Sequence, residues 1–173
     1  NHVAAALAEA PDFVMAHALQ AYLLVCSRDP ESVRAARPVV ERLSNLPASD
    51  RERLHVSALA AVLADDYEGA KAHLGNLLDL DPRDALALHV AHSFDHLTGD
   101  VERLNQRVAA VLPAWSSELV GYSTVLAMHA FGLEEAGDFQ RAEQTALAAL
   151  ALDRGNARAH HAIEVLRAAA QIE

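Results

Sequence analysis

The chain has one cysteine, Cys26, so no disulfide can close within it, and it has no paired cysteines of the zinc-binding kind. It has one lysine, Lys71, beside many arginines and alanines, a bias that suggests a GC-rich bacterial source. Proline and glycine are sparse (6 and 7 of 173 residues) and fall between apolar patterns rather than inside them. No glycine-rich phosphate loop and no G-x-S-x-G elbow occurs. No run of alternating β-branched residues calls for a strand. Every apolar run is interrupted by Asp, Glu, Arg or His before it could span a bilayer, and the start lacks a basic segment followed by an apolar one. Basic residues are too few to balance the acids. The net charge of −10 argues against nucleic acid and anionic lipid as partners. A cytoplasmic location is expected.

What is present is a helical pattern from end to end. Hydrophobic residues make up 52% of the chain, which places it among folded rather than disordered proteins. A short fragment at Val3–Glu9 precedes nine full helices, about Asp12–Ser27, Pro30–Asn45, Arg51–Ala64, Tyr67–Leu80, Ala85–Thr98, Val101–Leu112, Tyr122–Ala136, Phe139–Leu152 and Ala157–Ala170. Asp29-Pro30 supplies a cap and a first-turn proline to one of them. Pro38 is expected to kink that helix. Asp50 is expected to cap the next. The acidic positions Asp65, Asp66, Asp79, Asp81 and Asp84 read as caps and solvated turns.

The stretch Ala130-Phe131-Gly132-Leu133-Glu134-Glu135-Ala136-Gly137-Asp138-Phe139 shows the organising unit. Gly137 frees the backbone for a turn, Asp138 caps the following helix, and small residues (Ala130, Ala142, Ala149) mark where two helices approach. Asp66-Tyr67 and Asp100-Val101 are equivalent turns 34 residues apart, the tetratricopeptide period, and Asp138-Phe139 follows 38 later. The extra four residues fall in the loop Trp115–Gly121, which Trp115 and Tyr122 are expected to pin down. The expected fold is all-α: one domain over 1–173, a right-handed α-solenoid of about four antiparallel helix pairs and a closing helix, roughly nine helices in all. The chain neither begins with Met nor ends at a pattern boundary, so a longer protein is expected.

A narrower likeness lies in Val111-Leu112-Pro113-Ala114-Trp115 with Val125-Leu126-Ala127-Met128-His129-Ala130-Phe131-Gly132-Leu133-Glu134-Glu135. It extends to Leu88-His89-Val90-Ala91-His92-Ser93-Phe94-Asp95 and to Asp12-Phe13 with Ala16-His17-Ala18-Leu19. In these residues the chain resembles the tetratricopeptide repeat protein 38 family. The resemblance implies a helical-repeat scaffold, in a family whose members are usually longer. It also implies a second histidine in the closing helix after His161, where this chain has Val165.

Ten histidines are the unusual feature of the composition. His55, His89 and His161 hold the same fifth position of their helices, and His17 lies within one residue of it. A row of imidazoles along one concave groove is therefore expected. The groove candidates are His17, His55, Leu59, Val62, His89, Ser93, His96, Phe131, Glu134 and His161. Their expected role is to bind a protein, a peptide or a segment of the same chain, with net acidity favouring a basic or mixed partner. Self-association through the ends of the array is a further option. No cofactor is required, yet two chemical alternatives stay open. His89, His92 and His96, spaced i, i+3, i+7 with Asp95 beside them and His55 nearby, are candidate ligands of a metal ion. His129 with Glu134 or Glu135 is a candidate acid–base pair, of which only one carboxylate can face the groove. Cys26, in an apolar helix, is expected to be a buried, inert thiol.

Overall fold

A computed structural model describes residues 2–27 and 29–169. The described residues form ten α-helices and a 3₁₀ turn, with no strand among them. The helices are α1 (His2–Glu9), α2 (Val14–Val25), α3 (Pro30–Ser44), α4 (Asp50–Leu63), α5 (Tyr67–Leu80), α6 (Ala85–Leu97), α7 (Val101–Val111), α8 (Tyr122–Glu135), α9 (Phe139–Leu152) and α10 (Ala157–Ala169). The all-α reading holds. Most boundaries agree with expectation within two residues, and Ala170, the expected end of α10, lies outside the described residues. Pro38 sits inside an unbroken α3, and Asp29 caps that helix by accepting from Ser32 N at 2.8 Å.

One cap differs. Ser49, not Asp50, caps α4. Its hydroxyl accepts from Glu52 N while the Glu52 carboxylate accepts from Ser49 N, a reciprocal pair. Asp50 becomes the first helical residue because Ser49, in extended backbone, is already placed to receive that bond.

The chain falls into two compact units, one up to Phe94 and one from Asp95 onward, the boundary lying inside α6. In the first, α2 and α3 form a hairpin and α4 packs on both. In the second, α8 and α9 form a hairpin and α10 packs on both. The second arrangement meets largely through small side chains. Ala127, Ala130, Ala142, Ala146, Ala149 and Ala159 are completely buried, and Leu126, Leu133, Ile163 and Leu166 fill the space between them. The first unit also buries leucines (Leu43, Leu59, Leu74 and Leu77) and completely buried alanines (Ala18, Ala21, Ala36 and Ala58). After α7 the 3₁₀ turn Leu112–Ala114 leads to Trp115, which is buried, while Tyr122 packs on the Leu126–Ala149 cluster. The inserted loop is anchored at both ends as expected.

Three helix-to-helix turns share one closure. Asp66, Asp100 and Asp138 each donate their backbone N–H to the carbonyl five residues back (Ala61, Asp95 and Leu133, all at 2.9 Å), then cap the next helix with the side chain. The residue before each Asp is left-handed: Gly99 (φ 69°), Gly137 (φ 79°) and Asp65 (φ 63°). Two turns use glycine, which adopts this region freely; the first uses a residue that does so at a cost. Replacing Asp65 by Gly should therefore stabilise the first unit by about 0.5 kcal/mol, the relief of strain exceeding the added freedom of the unfolded chain. A denaturation midpoint that is unchanged or lower would contradict this.

Gly132, in the middle of α8, meets a different constraint. A Cβ there would lie 3.0 Å from Asn105 Cα and 3.2 Å from Leu104 O, backbone atoms of α7 that no rotamer change can move. Alanine would gain about 1 kcal/mol in helix propensity but incur overpacking of about 1–3 kcal/mol. Gly132→Ala should therefore lower the stability of the second unit, measurable by urea denaturation, and a gain would show that α7 and α8 can separate freely.

Candidate functional site

The first unit buries a polar network. Tyr22 of α2, completely buried His55 of α4 and Asp84 at the N-terminus of α6 form a continuous chain. The Tyr22 hydroxyl donates to the His55 carbonyl oxygen at 3.3 Å and lies 3.1 Å from His55 Nδ1. His55 Nε2 is 3.1 Å from Asp84 Oδ2. Arg51, one turn before His55, donates from Nε to the same oxygen at 2.7 Å, and Ala87 N donates to Asp84 Oδ1 at 2.9 Å. Burial pushes the Asp84 carboxyl up. The hydrogen bonds from His55 and Ala87, with the charges of His55 and Arg51, outweigh it and hold the pKa at about 2. Burial, then the Asp84 charge, drives the Tyr22 phenol well above its ordinary range, so it stays protonated. The chain is closed to solvent except at Arg51, and it acts as a tie between α2, α4 and the start of α6.

The second unit repeats the tie in neutral form. Asn156 caps α10 by accepting from Ala159 N at 3.1 Å, and its amide donates to Ser123 Oγ of α8 at 2.7 Å. Ser123 in turn donates to Ala149 O of α9 at 3.0 Å. Ser123 and Asn156 are 33 residues apart, as are Arg51 and Asp84. Four residues after Ser123 comes Ala127 where His55 follows Arg51, so no imidazole enters. A second ionic tie belongs to this unit: Arg107 of α7 grips Asp95 with two bonds, 2.5 and 3.0 Å, both side chains nearly or fully buried.

These contacts correct the expected histidine row. His55 is in the core, and so are Leu59 and Val62. His17 is also buried and donates from Nε2 to the Pro11 carbonyl at 2.8 Å, a bond that holds the α1–α2 link. His89 and His161 are exposed. Equal helical positions thus differ in exposure: His17 and His55 are buried, and His89 and His161 are not. His89, His92 and His96 do not share one open face either: His92 is buried while the other two are exposed. Among the described residues no three His, Cys, Asp or Glu side chains converge as a metal site would require. Ser93 is partly buried and donates to His89 O at 2.8 Å. Asp84, expected as a solvated turn residue, is buried.

Cys26 is a further correction. It is exposed, because α2 ends at Val25 and leaves the thiol in the cap rather than on the packed face.

The acid–base pair is not assembled. His129 and Glu134 are five residues apart on α8 and so about 140° apart around its axis. His129 is 7% exposed, and its Nδ1 has no hydrogen-bond partner. Burial, then the Arg141 charge, lowers its pKa and keeps the ring neutral. Glu135 is exposed.

Four of the expected groove residues do come together in the second unit. His96 meets the Phe131 ring edge-on, centroids 5.1 Å apart at 72°. Phe131 and Glu134, three residues apart on α8, share a face, and His161 of α10 lies within electrostatic reach of Glu134. The Glu134 side chain is only partly buried, yet its Oε2 is shut off from solvent with no hydrogen-bond partner. Burial first, then the Glu135 charge, raises its pKa, against the downward pull of His161. Arg158, one turn before His161, is partly buried and has no hydrogen bond or ion pair among the described residues.

Sequence reading missed Tyr22, Arg51, Arg107, Ser123 and Asn156, and read Asp95 as a neighbour of a metal site rather than as the partner of Arg107. The usable signal was the spacing of 33, which joins Tyr22 to His55, Arg51 to Asp84 and Ser123 to Asn156.

Asp84→Ala should cost about 3 kcal/mol or more, because it strands Arg51 and His55 and removes the α6 cap. Asp84→Asn, which keeps the cap, should cost less. The folded pKa of Asp84 is depressed below its unfolded value, so its contribution is complete above about pH 4 and fades as pH falls toward 2. Urea midpoints between pH 7 and pH 2 should show this acid limb in the native chain and a shallower one in Asp84→Asn; identical limbs would refute the assignment. Among known protein families, no family model matches the chain.

Proposed function

We propose that the chain is a helical-repeat scaffold of the tetratricopeptide kind, similar to the tetratricopeptide repeat protein 38 family in the residues that carry the resemblance. It acts in the cytoplasm and docks a protein or peptide on the surface of its second unit that carries His96, Phe131, Glu134 and His161. The observation that supports this reading is the combination on one face of α8 of the Phe131 ring and the Glu134 side chain, both partly exposed, with the His96 ring edge-on to Phe131. A partly exposed ring and a partly exposed acidic side chain on one face offer a docking segment an apolar and a polar contact together.

The remaining histidines are not needed for this role. His17 and His55 hold elements of the first unit, to which His89 and His92 also belong. No helix among the described residues is long and apolar enough to cross a membrane. The net charge of −10 favours a basic or mixed partner.

A cellulose array of randomised, acetylated dodecapeptides probed with the whole chain tests the proposal. Bound sequences, resynthesised, should shift the NMR signals of Phe131 and of the His96 and His161 rings. An array without binders, or binders whose footprint avoids these residues, would sink it. Sedimentation at several concentrations separates this outcome from occupation of the same face by a second copy.

A further inference from the structure

We infer that α10 is a receptor for a helix of another protein, and that this helix begins with an aspartate whose carboxylate pairs with Arg158, independently of the docking surface proposed above. Three features carry it.

First, Arg158 stands where the repeats place their polar tie. Arg51 is the second residue of α4, Ser123 the second of α8 and Arg158 the second of α10. Each lies four residues before a buried position: His55, Ala127 and Ala162. Arg51 meets the side chain that caps α6, and Ser123 meets the one that caps α10. The capping side chain of a further helix, stacked one repeat on, therefore falls at Arg158.

Second, the residue at this place selects the cap. Arginine takes a carboxylate, Asp84, and serine takes an amide, Asn156. Arg158 is partly buried and makes no hydrogen bond or ion pair among the described residues, and burial pulls its pKa down. A guanidinium that has lost part of its hydration and has no paired anion is stabilised by a carboxylate, which offers two acceptor oxygens and the opposite charge. Ala162 stands where α4 has His55, so the carboxylate pairs with Arg158 alone.

Third, the helix-packing face beside Arg158 is in place and uncovered. α8 meets α10 through Leu126, Ala130 and Leu133, which pack with Ala159, Ala162 and Leu166. The residues of α10 one repeat further on are His161, Val165 and Ala168, and none of them is buried. With Arg158 they recur at i, i+3, i+7 and i+10, one face of the helix. Val165 and Ala168 are small enough for the close approach of axes that the second unit uses between α8 and α10.

The occupant that fits is a helix with an acidic cap and small apolar residues on its inner face. The chain's own α6 has this form: Asp84 caps it, and Ala87, Val90 and Ala91 are buried. In the folded chain Asp84 is already held by Arg51 and His55, so a second folded copy cannot lend it and the helix comes from another protein.

The test is fluorescence anisotropy of a labelled, lactam-stapled peptide of the α6 sequence, residues 81–97, titrated with the whole chain. Asp84→Asn and Asp84→Ala versions of the peptide are the comparisons. The aspartate peptide should bind best, about fivefold or more tighter than the alanine one. Arg158→Ala in the chain should erase that preference. Arg158→Ser should turn it toward the asparagine peptide, as Ser123 holds Asn156. Val165→Glu should weaken all three peptides, and Arg167→Ala, at an exposed position of α10, none. Circular dichroism confirms that each variant is folded. No binding of the aspartate peptide, or a preference for it that survives Arg158→Ala, would overturn the receptor. Self-association in sedimentation that Arg158→Ser abolishes would overturn the occupant and put a second copy in its place. Dodecapeptides whose footprint lies on Phe131 and His96, and whose binding is unchanged in Arg158→Ala, leave the docking surface standing whatever the outcome at Arg158.

Discussion

Helices that meet through alanine methyls and a single glycine hydrogen come very close, and that closeness governs the rest of this structure. Gly132 lies against the α7 backbone with no room for a methyl group, and six completely buried alanines line α8, α9 and α10. Such contacts gain dispersion energy from dense packing but bury little apolar area per residue. A Leu–Leu seam would bury more and hold the axes farther apart. Small residues therefore set the geometry, and a limited set of larger ones, Leu59, Leu74, Leu77, Leu126, Leu133 and Leu166 among them, must fill what remains. With modest apolar area at each contact, stability is spread over many elements, and fixing the position of each helix falls partly to polar groups.

That task is met by the same device in both units. A capping residue at the start of one helix reaches back to the first turn of the helix one repeat earlier. Asp84 reaches Arg51, and Asn156 reaches Ser123. The two versions differ in what they cost. The neutral one leaves no charge to desolvate. The ionic one buries a carboxylate, which is tolerable because His55, Arg51 and the Ala87 N–H all converge on it and because Arg51 retains some contact with water. His55 and Tyr22 extend the ionic version to α2, so one network sets three elements. A buried imidazole of this sort resembles a catalytic constellation in its partners but not in its access: no face of it is open to a reacting atom.

Much of the fold could be read from the residues because the punctuation is local. A left-handed residue followed by Asp closes one helix and caps the next, and both events depend on neighbours within five positions. Hence α5 and α9 have the boundaries that their sequences imply. Burial was less legible, since it depends on which helix covers which face. His55 and His89 hold equal positions in their own helices, yet one is sealed and the other open. Cys26 shows the same limit on a smaller scale: two residues of helix end decided its exposure. The polar ties were encoded all along in pairs 33 residues apart, but a spacing close to the repeat period is easily taken for the repeat alone.

The four residues that meet on the second unit belong to α6, α8 and α10, each the first helix of its pair or, for α10, the helix that packs on the preceding pair. The second helices of pairs, α7 and α9, bury Leu104, Val108, Val111, Ala142, Ala146 and Ala149 and turn polar residues outward. Their buried faces leave little latitude, because closeness to α8 restricts side-chain size. The first helices have a face that the small-residue seams do not use, and there residues are free to vary in chemistry without disturbing the spacing of the axes. Phe131 and Glu134 occupy that face within one turn of Ala130 and Leu133, which belong to the seam. Rigid packing on one side thus holds an aromatic ring and a partly buried carboxylate in fixed relation on the other.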